Sequence, residues 1–443
     1  MKRAIFSVLV ISLGLLLKSC NTTEPPPPPP NGEKPTLELT LEDVSCIEAW
    51  IKLTTSNLQL PATIELKQFN PSGDTISHSS ILNTKDSLLY LDSLLPNKSY
   101  QYQVSSIENP ATSNELSVTT MDTTSHNFTF ETFTFGGTAG SSTLYDVAII
   151  NENNIWAVGE MYVADTSQNG YTLYNAVHWD GINWELKLIP FTGSCSAVMY
   201  PPIRSIWAFS ETDIWFARGG SLVHFDGTNY YNDCNMNSLL TGSINKIWGS
   251  SSSDLYVVGN NGNIVHYNGT LWSRIESGTN LNVNDIWGDY NEKTDKWEIL
   301  AVASNKFLNE GKIILKIAGL ICSELSTVGL PWSLSSIWFK AERKYFVGGD
   351  GLYYKKTLNE SWVKDLTFIP IYKDRIRGTN LNNIVVSGSN GLLSHFNGMK
   401  WKHYINNELP YYSGRLLSCD IKDNIIIAVG WKEIQAIITM GKR

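Results

Sequence analysis

The chain has 443 residues, 15 of them Trp and 20 Tyr, and only 17% are charged. That length is more than one ordinary domain needs. The formal net charge is −8 with no basic run, which argues against a nucleic-acid partner, because phosphate binding needs clustered Lys and Arg. Beyond the N-terminus, short apolar runs alternate with Gly, Asn, Asp and Ser clusters, and no long stretch places apolar residues at helical spacing. The expected fold class is therefore all-β.

Met1, Lys2 and Arg3 form a basic start to the apolar run 4–17, which is too short for a permanent bilayer span. The run ends in Leu17-Lys18-Ser19-Cys20, which resembles a bacterial lipobox, with Lys18 departing from the usual small or apolar residue. The resemblance implies a signal peptide over 1–19 and lipid on Cys20. The membrane would then be reached through an N-terminal lipid, since a single acyl chain binds only marginally and two hold firmly. The alternative is a plain secretory signal cleaved nearby. Asn21 after the cysteine, rather than Asp, favours passage to an outer membrane. Residues 20–34 hold Pro25 to Pro30, a stiff polyproline II tether rising about 3.1 Å per residue.

Residues 35–121 carry six short alternating runs, beginning with 37–41 and 47–53 and ending with 115–120. Leu94-Leu95-Pro96-Asn97-Lys98-Ser99-Tyr100 resembles the tyrosine corner of a fibronectin type III domain. The resemblance implies that Tyr100 hydrogen-bonds back to its loop and that Trp50 fills the core between two sheets. The module is read as a spacer.

Residues 122–443 repeat. Arg204 to Tyr230 (RSIWAFSETDIWFARGGSLVHFDGTNY), Asn245 to Trp272 and Asp374 to Trp401 are copies of one pattern, with weaker copies from Tyr145, Asn284, Ser335 and Leu416. The shared core positions are Val147, Ile206, Ile247, Ile286, Ile337, Ile376 and a position near Ser418. A period of about 40 with four strands per unit is the signature of a propeller blade. Two longer intervals are expected to hold insertions, within 160–175 and around Tyr290 to Asp295. In each unit the first strand reads Ile-Trp-Gly, its small third residue (Ala208, Gly249, Gly288, Gly378) suiting a crowded centre. The third strand ends in His-aromatic and turns through Asp-Gly or Asn-Gly at Asp180, Asp226, Asn268 and Asn397, expected as type I′ hairpins. The last copy stops after three strands, and Asn127 to Phe135 (NFTFETFTF) is expected to supply its outer strand and close the ring.

The pattern resembles bacterial exported β-propellers with an Ile-Trp-Gly repeat. The expected fold is a fibronectin type III-like sandwich (35–121) followed by a seven-bladed β-propeller (122–443). Such propellers mostly bind or scaffold, and the fold itself supplies no activity.

His178, His224, His266 and His395 share one repeat position, so they are spread around the ring and are read as structural rather than as ligands of one metal ion. No cofactor and no metal are expected. Sialidases are also propellers, but His178-Trp179-Asp180-Gly181-Ile182-Asn183-Trp184 lacks the Ser or Thr of their Asp-box. Arg204, Arg375 and Arg415 are the arginines that such an enzyme would have to cluster. A Cys195–Cys234 disulfide is expected between two inter-blade loops on one face, since export permits oxidation. Cys46, Cys322 and Cys419 are expected as buried free thiols. The residues just before the repeat Ile include Asp146, Lys246, Asp285 and Arg375, charged positions in a charge-poor chain. They are the candidate ligand-binding rim at the channel mouth, the alternative being a solvated rim with no ligand. The functional expectation is a monomeric, non-catalytic lipoprotein of the cell envelope, on the outer membrane or cell surface, whose propeller binds a protein or glycan. The alternatives are a glycan-acting, sialidase-like hydrolase and a purely structural envelope component.

Overall fold

The computed structural model describes residues 9–11, 34–108, 110–193, 197–233, 236–308 and 311–443. Among these the chain is strand and turn, with one 3-10 turn at Met236–Leu239 and no α-helix. It divides into two compact units, the residues up to Thr124 and a second unit of Ser125–Phe396 with Trp401–Arg443.

In the first unit Thr36–Val44, Ala49–Ser56 and Asp86–Leu91 pair in one sheet, with Leu9–Ile11 antiparallel to the last of them. Ala62–Phe69, Thr75–Leu82 and Ser99–Ser106 pair in the other, with Ala111–Thr112 and Leu116–Thr119 alongside Ser99–Ser106. Alternate residues point inward, so Ile51, Leu53, Ile64, Leu66, Tyr102 and Val104 form a shared apolar core. The Tyr100 hydroxyl accepts the Leu95 N–H at 2.8 Å, tying the strand back to its loop. Trp50 departs from expectation. It is buried, but the strand's two-residue period puts it on the face opposite Ile51 and Leu53, where it packs on Tyr90 with ring centroids 5.7 Å apart.

The second unit contains seven four-stranded antiparallel sheets, termed blades I to VII. Their innermost strands are Thr143–Asn151, Ser205–Ser210, Ile244–Ser251, Val283–Asn291, Leu334–Lys340, Lys373–Asn380 and Gly414–Lys422. Each packs against the next, and the last packs against the first, so the sheets form a closed ring. Blade VII is assembled from both ends of the unit. Thr129–Phe135 pairs antiparallel with Gln435–Lys442 and completes the sheet, which removes two free edges. The second strands are buried on both faces, as in Leu255, Tyr256, Val257 and Val258, because a neighbouring blade covers each side.

The long interval after Val147 has two sources, an extended hairpin of Asn154–Ala164 with Tyr171–Trp179 and a small hairpin of Phe191–Gly193 with Ala197–Met199. In blade IV the first two strands simply run longer, to Asn291 and from Lys296. Register corrects one position. Six blades carry a β-bulge one residue before the residue that precedes the repeat Ile, and in blade VII it lies between Leu416 and Ser418. Cys419, opposite Ala428, therefore occupies the repeat-Ile position, and Ser418 occupies that of Asp146.

The turns between third and fourth strands are wider than the expected two-residue hairpins. Only the glycines Gly181, Gly227, Gly269 and Gly398 have positive φ, between 88° and 96°. The preceding Asp or Asn keeps negative φ and uses its side chain instead. Asp226 Oδ1 accepts the N–H groups of Thr228 and Asn229 at 2.8 and 2.7 Å, and Asp180, Asn268 and Asn397 do the same in their turns. These are four-residue Asx-capped loops rather than two-residue type I′ turns.

The Ile-Trp-Gly glycine has a specific partner. A Cβ on Gly288 would collide with the indole of Trp248 from the preceding blade, and one on Gly378 would stand 2.8 Å from Trp338 Cζ2. Gly288 and Gly378 thus seat the previous blade's tryptophan, whereas Gly249 faces Phe209 of the blade before it. Gly288→Ala is expected to cost about 1–3 kcal/mol by overpacking, read as a fall in midpoint in urea unfolding.

Candidate functional site

The residues preceding the repeat Ile and those following it line the inside of the ring. The first set is Asp146, Ser205, Lys246, Asp285, Ser336, Arg375 and Ser418, and the second includes Trp207, Trp248, Trp287, Trp338, Arg377 and Asp420. Side chains from blades that are not neighbours meet here, so these contacts lie at the axis. Lys246 of blade III reaches Asp146 of blade I at 2.7 and 2.5 Å. Arg377 of blade VI grips Asp285 of blade IV with both terminal nitrogens, at 2.9 and 2.7 Å.

The same side chains also link adjacent blades. Asp146 Oδ2 accepts the backbone N–H of Ile206 at 3.0 Å, and Ser205 Oγ accepts that of Ile247 at 3.1 Å. Asp285 Oδ2 accepts the N–H of Ile337 at 3.0 Å, and Ser336 Oγ that of Ile376 at 3.0 Å. One rule covers these four links. The side chain before the repeat Ile of one blade caps the repeat-Ile N–H of the next. Lys246 and Arg375 cannot accept, and there the chain places cations that turn across the ring to the two carboxylates. Bulged residues add a second tier: Asn284 Nδ2 donates to Leu334 O at 2.8 Å and Ser335 Oγ to Lys373 O at 2.6 Å.

Each of the four rim residues expected from the sequence is buried, with exposures of 1% for Asp146, 3% for Lys246, 0% for Asp285 and 6% for Arg375. The structure brings them together as ion pairs. Burial alone would raise the carboxyls, but Lys246 and Arg375 outweigh it at Asp146, and Arg375 and Arg377 outweigh it at Asp285, so both stay below the usual range. Burial pulls Lys246 down to about 8 against the pull of Asp146, and Arg375 and Arg377 add to the fall. Ser205 and Ser336, which also precede the repeat Ile, belong to the same network, as do Arg377 and Ser418, whose part in it was not read from the sequence. The signal in the sequence was an acceptor or a cation at each position preceding the repeat residue.

Both carboxylates are saturated. Asp146 also takes Ser205 Oγ and Ser418 Oγ, each at 2.8 Å, and Asp285 takes Ser336 Oγ at 2.5 Å. Several donors remain. Arg375 Nη1 lies 2.5 Å from Asp285 Oδ1 without hydrogen-bonding alignment, and Arg375 Nε, Trp207 Nε1 and Trp287 Nε1 are buried with no hydrogen-bond partner among the described residues. Trp207 and Trp287 face each other with centroids 6.1 Å apart, and the Arg377 guanidinium sits 5.1 Å from the Trp287 ring centre.

Where the inner strands begin, cations lie over aromatic rings. Arg204 sits 3.8 Å over Tyr145, and Arg415 lies 4.8 Å from the Phe307 centroid and 5.5 Å from that of Tyr372 while pairing with Asp374. Arg204, Arg375 and Arg415 are thus engaged by three different sets of partners.

The repeated histidines are fully accounted for within their blades. His178, His224, His266 and His395 bond Asn154, Asp213, Asp254 and Asn383 at 3.0, 2.9, 2.7 and 3.0 Å. The first three stack on Trp156, Trp215 and Tyr256. His395 also meets His126, Nδ1 to Nδ1 at 2.9 Å, beside Phe128 and Arg443. Cys46 and Cys419 are buried free thiols and Cys322 is a half-buried one. Lipidation at Cys20 and the Cys195–Cys234 pairing lie outside the described residues.

No family model and no curated protein matches the sequence. Solved structures do match in fold. The structure described as YCF48 bound to D1 peptide aligns with a TM-score of 0.50 and 15% identity, over 71% of this chain and 95% of that one. The WD40 β-propeller domain of Doa1 aligns with a TM-score of 0.52 and 12% identity, over 72% and 97%. The all-β ring of this chain is therefore a β-propeller.

Two outcomes follow from the axis and its surroundings. Asp285→Ala leaves Arg375 and Arg377 buried without their anion, and should cost about 3–5 kcal/mol in chemical unfolding. Asp226→Ala, in an exposed turn, should cost only about 1 kcal/mol. Burial, with His126 and Arg443 nearby, lowers His395 to about 3, so the folded protein binds fewer protons than the unfolded one below the ordinary histidine value. Stability is therefore full above about pH 6.5 and declines as pH falls toward 3. His395→Gln should flatten that slope in urea titrations across the window; an unchanged slope would contradict it.

Proposed function

We propose that this chain is an exported lipoprotein, acylated on Cys20, whose proline tether (20–34) and fibronectin type III-like spacer (35–121) carry a seven-bladed propeller (122–443) that binds a protein or peptide. The observation that supports binding is the face where the inner strands begin. There Arg204 with Tyr145, and Arg415 with Tyr372 and Phe307, surround an axis that still holds unfilled donors. Aromatic and arginine side chains of this kind supply most of the energy at protein interfaces. A propeller of the same fold carries a bound peptide in the structure described as YCF48 bound to D1 peptide.

A hydrolytic role has less support. A hydrolase acting on glycans needs a carboxylate free to take or give a proton, whereas Asp146 and Asp285 are saturated by internal donors.

Two experiments test the reading. Cys20→Ser should abolish labelling by palmitate and move the protein from the membrane fraction to the soluble one; unchanged fractionation would refute the anchor. On arrays of envelope-derived peptides and glycans, the purified chain should retain peptides. Arg415→Ala and Phe307→Ala should each weaken retention by at least about ten-fold. Leu366→Ala, at the 87% exposed Leu366, should not. Retention of glycans alone, or of peptides with no loss in either variant, would overturn the peptide-binding reading.

A further inference from the structure

Four polar atoms left over among the described residues at the axis are donors only. Arg375 Nε, Trp207 Nε1 and Trp287 Nε1 have no hydrogen-bond partner, and Arg375 Nη1 touches Asp285 only as an ion pair. The carboxylates of Asp146 and Asp285 are not short of donors. Asp146 is filled by Lys246, Ser205, Ser418 and Ile206 N–H, and Asp285 by Arg377, Ser336 and Ile337 N–H. A buried polar group without a partner costs about 1–3 kcal/mol, and native proteins rarely keep several of one sign close together. Arg375 is 6% exposed, while Trp207 and Trp287 are only half-buried, so the site is enclosed but not sealed.

We propose that the axis of the propeller is a binding site for a single carboxylate, held by Arg375 and the indole N–H groups of Trp207 and Trp287. The reasoning is charge and hydrogen-bond complementarity. An acceptor-only group satisfies leftover donors, and a planar two-oxygen anion matches the guanidinium fork. A monoanion fits better than phosphate, because Asp146 and Asp285 already place two negative charges nearby. The carboxylate belongs either to a free small acid or to a peptide. The peptide form rests on the binding function proposed above; the site itself does not.

The test uses the full chain. Sodium acetate and sodium chloride are titrated at matched ionic strength, following tryptophan fluorescence and thermal midpoint. Acetate should quench and stabilise at about millimolar concentration, and chloride should not. Trp287→Phe, which keeps a ring and loses the N–H, should weaken acetate about ten-fold. Trp338→Phe should leave acetate within about two-fold, because the Trp338 N–H is already committed to Gly378 O at 3.0 Å. Equal responses to the two salts, or equal effects of the two variants, overturn the site. Peptides with a free C-terminus are then compared with C-terminal amides bearing internal Asp. Preference for the free terminus identifies a chain end as the source, and preference for the amide identifies a side chain. Acetate binding without either peptide keeps the carboxylate site and refutes the peptide reading alone.

Discussion

The structure depends on how the innermost strand of each blade is capped. That strand is a sheet edge, and a ring built from sheets has as many such edges at its centre as it has blades. No strand pairs with it on the axial side, so its outward N–H groups need acceptors from elsewhere. At four of the seven links the chain meets this need with one side chain. Asp146, Ser205, Asp285 and Ser336 each reach to the next blade and take the N–H of its repeat Ile. Side-chain caps thus do at the axis what strand pairing does elsewhere, and they fix the spacing of neighbouring blades. At Asp146, Asp285 and Ser336 a bulge stands just before the capping residue.

The charges at the axis follow from the same constraint. Carboxylates placed to accept an N–H carry a buried negative charge, which is costly without a cation. Lys246 and Arg375 stand at the two inner positions that cannot accept, and with Arg377 they return across the ring to Asp146 and Asp285. Capping and neutralisation are therefore one network, coupling blades I with III and IV with VI. Because each carboxylate is used both ways it ends saturated, while the cations and indoles retain donors. That asymmetry is what gives an otherwise structural centre its chemical preference.

Much of the ring was legible in the sequence because its signals are local and repeated. The Ile-Trp-Gly strand, the His-aromatic end and the Asp-Gly turn recur in near-identical form, and the closing strand of blade VII showed as polar-apolar alternation in NFTFETFTF. The histidines were legible for the same reason, since one repeat position implies one local job. The rest was hidden because it is nonlocal. Asp146 and Lys246 meet across 100 residues, and Asp285 and Arg377 across 92. Nothing in either segment announces its partner, so charged residues at the strand starts read as a solvated rim. The bulge that displaced the blade VII register to Cys419, and the two-residue period that turned Trp50 away from Ile51, are backbone details that a pattern of residue types does not resolve.

Hydrogen exchange at single amides tests the capping account most directly. The N–H of Ile247 is held by a Ser205 hydroxyl from the neighbouring blade, while in its own sheet the residue stands opposite Val257. In Ser205→Ala, exchange at Ile247 should accelerate by about ten-fold, as loss of one hydrogen bond implies, while Val257 and Val258 in the second strand keep their protection. If Ile247 exchanges at the same rate with and without the Ser205 hydroxyl, side-chain capping does not hold the inner edges, and the account is contradicted.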